Sequence, residues 1–379
     1  MIVGLFTEML SVGGVQRAGR HVAAVAAHWA AAHGVSYQFL SLNDSLGLHT
    51  VRVGSNEFVV YGHARSKSKF TIAALRAAGR QPLLVIALHP HLAPIVWLMR
   101  QRSRKFRSIV FAHGIEVWRP LAWPRGATLR RTDLVISPSS YTAQRLISEQ
   151  GVQSDRIRTV PWGLDPEFEA RFRTHAISSR PLGFPECKHV ILTVGRWDPV
   201  ERYKGADTLI SALPELLKGV PDAFLILVGD GADRPRLEQL VRDQGVSEHT
   251  RFLCNLTHEE LLGCYAHCDV FALPSAGEGF GFVFLEAMAQ AKPVIGGAHG
   301  GTLDVIQDGV TGMLVPHGDR RLLSAALMML LTDEARAAEM GEKGRARIDS
   351  TYTFERFEAR LENVFDNVLD GKQGFESPG

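Results

Sequence analysis

Cysteine is scarce in this chain, and that excludes a covalent scaffold. The four present in 379 residues, Cys187, Cys254, Cys264 and Cys268, fit neither a disulfide framework nor a common zinc spacing. Cys264 and Cys268 stand four apart beside His267 on an expected helix, where burial as small apolar residues accounts for them better than a metal. Long apolar runs are also missing. The longest, Leu83 to Met99, is broken by His-Pro-His and Pro94, so it is too short to span a bilayer. The opening MIVGLF reads as a strand rather than a signal peptide, and a cytoplasmic, reducing location is expected. Acids are nearly absent between Arg65 and Arg131, where Glu116 stands alone against fourteen lysines and arginines. Such a stretch suits an anionic surface or is a solvated face of a near-neutral protein. No aromatic RNA-binding signature accompanies it, so nucleic acid is not expected.

What is present is an ordinary globular composition in a chain longer than one core usually sustains. Short apolar runs alternate with helical segments, the pattern of a doubly wound parallel sheet. Ile2–Phe6 is a first strand. Gly13-Gly14 turns the chain into a helix whose apolar face is Val15, Ala18, Val22, Val25, Ala26 and Trp29. YQFLSL, PLLVIAL, SIVFAH, DLVISPS and IRTVPW continue the series. A stretch around residues 171–185, with Pro181 and Pro185, reads as a linker. VILTVG then restarts the same grammar, followed by AFLILVG, TRFLC, DVFALPS, KPVIG and TGMLV. Asp233 is the expected N-cap of one intervening helix. Two Rossmann-like domains are expected, 1–170 and 186–351. The C-terminal segment 352–379 is expected to pack back on the first through Phe354, Phe357, Leu361, Val364, Phe365 and Val368.

In open parallel sheets ligands bind beyond the carboxyl ends of the strands. After VILTV come Gly195 and Arg196, then Lys204-Gly205 opening a helix, a set able to hold phosphate. After DVFALPS comes AGEGFGF, whose glycines let backbone approach a ligand, with Glu278 in the loop and Glu286 in the next helix. A carboxylate there can accept from two vicinal hydroxyls at once. The competing reading for Glu286 is a charge that complements the helix dipole.

These residues carry a resemblance. Gly195-Arg196 with Lys204-Gly205, PSAGEGFGFVFLEAMA, and GGTLDVIQDGVTGMLV are similar to the retaining nucleotide-sugar glycosyltransferases of family 4, which have the GT-B fold. The match spans the second half nearly end to end. The first half matches more loosely, at Gly13-Gly14 and His113-Gly114. The resemblance implies an α/β protein of two Rossmann-like domains facing across a cleft. It implies that Arg196 and Lys204 hold the donor diphosphate, that Glu286 binds the ribose, and that Glu278 and His113 contact the transferred sugar. Gly13, Gly14, Gly195, Leu253, Asn255, Gly279, Phe280 and Gly281 would complete the donor site. No Asp-x-Asp occurs, so no metal and no cofactor are expected. A UDP-sugar is the favoured donor, a GDP-sugar the next. The acceptor would be a lipid-linked or other glycan, with the basic first half against an anionic membrane. Departures are Trp162 in PWGLD where the family commonly has asparagine, Asp304 in place of the acid of the third loop, and Ala291 for a frequent glycine. Another sugar-nucleotide enzyme of the same fold, an epimerase or a phosphorylase, or a non-catalytic sugar-nucleotide binder would share these features.

Overall fold

The computed structural model describes residues 1–173, 180–181, 183–186 and 189–371. Cys187 and part of the expected linker lie outside the described residues; helix Pro166–Arg173 runs into the linker's start. Two compact units result, Met1–Glu167 with the chain from Phe354, and Phe168–Thr353.

The first unit is built on an eight-stranded sheet: β1 (Ile2–Phe6), β2 (Tyr37–Ser41), β3 (Gly47–Val53), β4 (Asn56–Gly62), β5 (Leu84–Ala87), β6 (Arg107–Phe111), β7 (Leu134–Ser137) and β8 (Ile157–Thr159). Its order is β3-β4-β2-β1-β5-β6-β7-β8, parallel throughout except for the antiparallel pair β3–β4. Strands β1, β5 and β7 are buried along their whole length, as strands covered on both faces must be. Helix α1 (Gly14–Ala32) buries the apolar face expected of it, with Val22, Val25, Ala26 and Trp29 inside. Helix α2 (Lys67–Gly79), capped by Ser66 on the N–H of Lys69, packs Phe70, Ala74 and Ala77 with Leu40 and Val85 of the sheet.

The β3–β4 hairpin was not among the expected strands. Its signal is the alternation on either side of Gly54-Ser55, a two-residue turn in which Gly54 has φ 56°. The C-terminal helix Phe354–Leu369 packs on α1, burying Phe354, Phe357, Leu361 and Phe365. Trp29 Nε1 donates to Asp366 Oδ1 at 2.8 Å, which ties the last helix to the first.

The second unit holds β9 (His189–Val194), β10 (Ala223–Val228), β11 (Thr250–Leu253), β12 (Val270–Leu273), β13 (Val294–Gly297) and β14 (Gly312–Val315), in the order β11-β10-β9-β12-β13-β14. From β9 the chain moves outward to β11, then returns to β12 and moves the other way. The strand order therefore reverses between β9 and β12, and their carboxyl ends frame a switch-point crevice. Cys264 and Cys268 are fully buried, and burial pushes both thiols up to about 12, the behaviour of inert core residues.

Candidate active site

The switch point gathers the expected residues of the second unit. Gly195 closes β9, with its N–H on Val228 O, and Gly229 donates to Leu253 O, so the ends of β9, β10 and β11 are stitched edge to edge. Asn255 follows in a left-handed conformation, φ 55°. Arg196 leaves this edge largely exposed, while Lys204 is mostly buried. Both cations converge on one carboxylate that sequence reasoning did not single out. Glu201 Oε2 lies 2.8 Å from Lys204 Nζ, and its Oε1 pairs with Arg196 Nη2.

Lys204 is followed by Gly205, which opens helix Ala206–Gly219 with φ 81°. A side chain there would also stand 2.5 Å from Pro274 O, so glycine is required by both conformation and space. That close approach brings the loop after β9 against the loop after β12, and Ala276 N donates to Tyr203 O at 2.8 Å across the junction. A third loop joins them. Gly301 N donates to Glu278 O at 2.7 Å, and a Cβ on Gly301 would lie 2.2 Å from Gly279 O.

Glu278 thus sits between the cations and the third loop. Its Oε1 is shielded from solvent and has no hydrogen-bond partner among the described residues. Burial pushes its carboxyl up, with the Lys204 charge and a Ser275 hydrogen bond acting against that. Lys204 is lowered by burial, against the pull of Glu278. The Tyr203 phenol beside them is pushed up to about 12 by burial and by the Glu278 charge, so it stays a neutral donor. Two cations on one internal carboxylate, beside a second carboxylate that is buried with one oxygen unpartnered among the described residues, form an arrangement chemically able to hold a phosphate and a hydroxylated ring together.

Glu286 is placed differently from a surface group complementing a dipole. It lies in helix Phe282–Ala289 at 1% exposure, and Tyr265 OH donates to its Oε2 at 2.6 Å. Tyr265 was not foreseen; it lies 21 residues before Glu286 in the sequence, and only the packing of two helices joins them. Phe280 is buried at the loop's end against Tyr352. Asp233 does stand at a helix N-cap position, but its side chain makes no cap hydrogen bond. It is held by Arg202 and Arg236 instead, and bonding to Arg236 lowers its carboxyl to about 2.

In the first unit Gly13 stands at the N-cap of α1 and Gly14 begins it. The loop before them is pinned by residues not foreseen: Asp44 accepts from Met9 N and Leu10 N, and Arg20 donates to the carbonyls of Met9 and Ser11. His113 follows β6, with Nε2 2.5 Å from Leu88 O; a carbonyl only accepts, so this nitrogen carries the proton. Trp162, the departure in PWGLD, is buried and stacks on Phe111 and His113, with Phe357 of the last helix beside it. The residue that breaks the family pattern is therefore a wall behind His113.

Comparison with known proteins agrees with this geometry. Residues 12–168 match the family described as Glycosyltransferase Family 4, and residues 176–347 match Glycosyl transferases group 1. The chain is 35% identical over 303 residues to a GDP-mannose-dependent alpha-(1-6)-phosphatidylinositol monomannoside mannosyltransferase of Mycolicibacterium smegmatis, covering 74% of this chain and 76% of that one. It is 32% identical to a D-inositol 3-phosphate glycosyltransferase of Corynebacterium aurimucosum, over 62% of this chain and 57% of the other. Among solved structures, a sucrose-phosphate synthase of Thermosynechococcus elongatus superposes with TM-score 0.77 at 22% identity, covering 98% of this chain and all of that one. The chain belongs to the family 4 type of GT-B glycosyltransferases. It is a glycosyltransferase that uses a nucleotide-sugar donor.

Proposed function

We propose that this enzyme moves a mannose or related hexose, with retention of configuration and without a metal, from a GDP-sugar to a hydroxyl of a lipid-linked glycan presented at an anionic membrane surface. The observation that carries the donor half is the pairing of Arg196 and Lys204 beside Glu278 at the β9/β12 switch point. Sequence reasoning favoured uridine, on family frequency. The names of the GDP-mannose-dependent relatives shift that weight to guanosine.

In this reading the bond between the anomeric carbon and the leaving phosphate oxygen breaks while the acceptor hydroxyl attacks the same face. Arg196 and Lys204 stabilise the charge growing on the leaving diphosphate, which a fixed cation pair does without reorganising. The acceptor proton passes to the leaving phosphate oxygen. Glu278 orients the sugar, and Glu286 accepts from the ribose hydroxyls. For the diphosphate to reach both cations, Glu201 gives them up. The test is transfer from labelled GDP-mannose, UDP-glucose and UDP-N-acetylglucosamine to phosphatidylinositol mannosides, with and without a chelator. Turnover of GDP-mannose unaffected by the chelator supports the reading. Turnover of a UDP-sugar alone overturns the guanosine assignment, and hydrolysis without transfer overturns the acceptor class.

A further inference from the structure

The first sheet has its own point of reversal. From β1 the chain moves outward to β2 and β4, then returns to β5 on the other side of β1. The place for a ligand in this unit is therefore beyond the carboxyl ends of β1 and β5. The loop after β1, residues 7–13, stands at that edge. Its tip is apolar and open to water, with Leu10 44% and Val12 98% exposed. Exposed loop tips are ordinarily among the least ordered parts of a fold.

This one is held by two charged side chains. Asp44, in the loop after β2, is 4% exposed. Its Oδ2 accepts from Met9 N at 2.8 Å and from Ser41 Oγ at 2.5 Å, and its Oδ1 accepts from Leu10 N at 3.1 Å. Arg20 of α1 takes the carbonyls: its Nη1 donates to Met9 O at 2.6 Å and to Ser11 O at 3.1 Å. Burial lowers the Arg20 pKa, Arg17 lowers it further, and Asp165 and Asp44 act against both. No carboxylate pairs with Arg20 among the described residues; its hydrogen bonds go to the loop.

Asp44 also steadies a strained neighbour. Its carbonyl accepts from Ala64 N at 2.7 Å, and Ala64 and Arg65, after β4, have φ 48° and 64°. Residues other than glycine persist in the left-handed region where their surroundings over-determine them. Buried charges replaced by well-packed apolar groups often leave stability equal or higher, so cohesion alone does not account for an acid and a base here. What the two supply is one conformation for a loop at a ligand-binding edge.

We propose that Asp44 and Arg20 are positioning residues for the transfer reaction: touching no substrate themselves, they hold residues 9–13 in the single conformation that receives the acceptor. The proposal rests on the function proposed above and assigns the acceptor to the crevice of the first unit.

The test is steady-state transfer from GDP-mannose with the phosphatidylinositol mannoside concentration varied. Beside it run calorimetric titration with GDP and hydrogen exchange of segment 9–13. The variants are Asp44→Asn, Arg20→Met and Arg20→Lys. In Asp44→Asn an amide N–H faces a donor whichever way the group turns, so at least one bond is lost. Arg20→Met removes the donor, whereas Arg20→Lys keeps a single nitrogen able to serve both carbonyls, as Nη1 does. Asp44→Asn and Arg20→Met are expected to exchange faster over 9–13. Their kcat/KM for the acceptor should fall about a hundredfold, the effect of a misplacement of about 1 Å. Arg20→Lys is expected to recover most of both, and GDP affinity should match wild type in all three. If Asp44→Asn does not fold, the two Arg20 variants decide alone. Wild-type acceptor kinetics in Arg20→Met, with faster exchange, would make the clamp purely structural and overturn the proposal while the enzyme's function stands. An equal loss of GDP affinity would also overturn it, because the loop would then serve the donor. Absence of transfer by wild type would remove the function proposed above and the acceptor role of the loop with it.

Discussion

Lys204 Nζ lies 2.8 Å from Glu201 Oε2, and the other oxygen of that carboxylate takes Arg196, so one internal anion spans the two cations assigned to the donor diphosphate. A diphosphate competes with it for the same charges. Glu201→Gln keeps the shape and removes the charge, and is expected to tighten GDP about tenfold, the value of one exchanged charge-assisted hydrogen bond. Calorimetric titration checks this. Weaker binding by Glu201→Gln would instead make Glu201 a residue that positions the cations for phosphate.

Arg196 is 66% exposed, so its role in stability is small. Arg196→Ala is expected to lower kcat/KM by about 10²–10³, as removal of one oxyanion-stabilising donor does. Its effect on folding should stay within about 0.5 kcal/mol, as for a surface substitution. Steady-state kinetics beside denaturant unfolding separate the two. Full transfer activity in this variant would remove the phosphate assignment.

Tyr265 and Glu286 are both buried, and one hydrogen bond of 2.6 Å joins them. Tyr265→Phe takes away a donor from a buried carboxylate and is expected to cost about 1–3 kcal/mol of stability. It should also raise the KM for donor, because Glu286 loses its fixed direction. Glu286→Gln can still accept from Tyr265, so its stability should be close to wild type while nucleotide affinity falls. If nucleotide affinity is unchanged in Glu286→Gln, the carboxylate is structural and the ribose contact lies elsewhere.

His89, which follows β5, stacks near His113 and is lowered to about 3 by burial and by the neighbouring His113, His91 and Arg125. In the unfolded chain it takes up its proton near the ordinary value of 6.5. Between these values the unfolded state binds more protons, so stability falls as pH drops from 6.5 toward 3. Thermal melts across that window should show a shallower decline in His89→Gln than in wild type. Parallel curves would mean that the buried His21, also lowered by burial, or another group carries the pH dependence.

Much of this was legible before folding was considered. Strands such as Ile2–Phe6 and His189–Val194 are short apolar runs bounded by turns, and a parallel sheet needs such runs because helices bury both faces. Arg196, Lys204 and Glu278 could be named because they follow strand ends, where ligands sit. The β3–β4 hairpin was missed because apolar Leu48, Val59 and Tyr61 on its exposed face blur, in the sequence, the inside–outside alternation that flanks Gly54-Ser55.

The sequence by itself determined the two-sheet grammar, the loops that carry charge and glycine, and the family, because each is written in local spacing. It could not supply partners set by long-range packing. Glu201 is assigned to Arg196 and Lys204 by a turn that the spacing does not specify. Tyr265 reaches Glu286 only because two helices flank one sheet. Trp162 is a departure in a motif until Phe111, His113 and Phe357 surround it. Side-chain contacts across elements depend on where the backbone places whole helices and strands, and only the tertiary structure decides that.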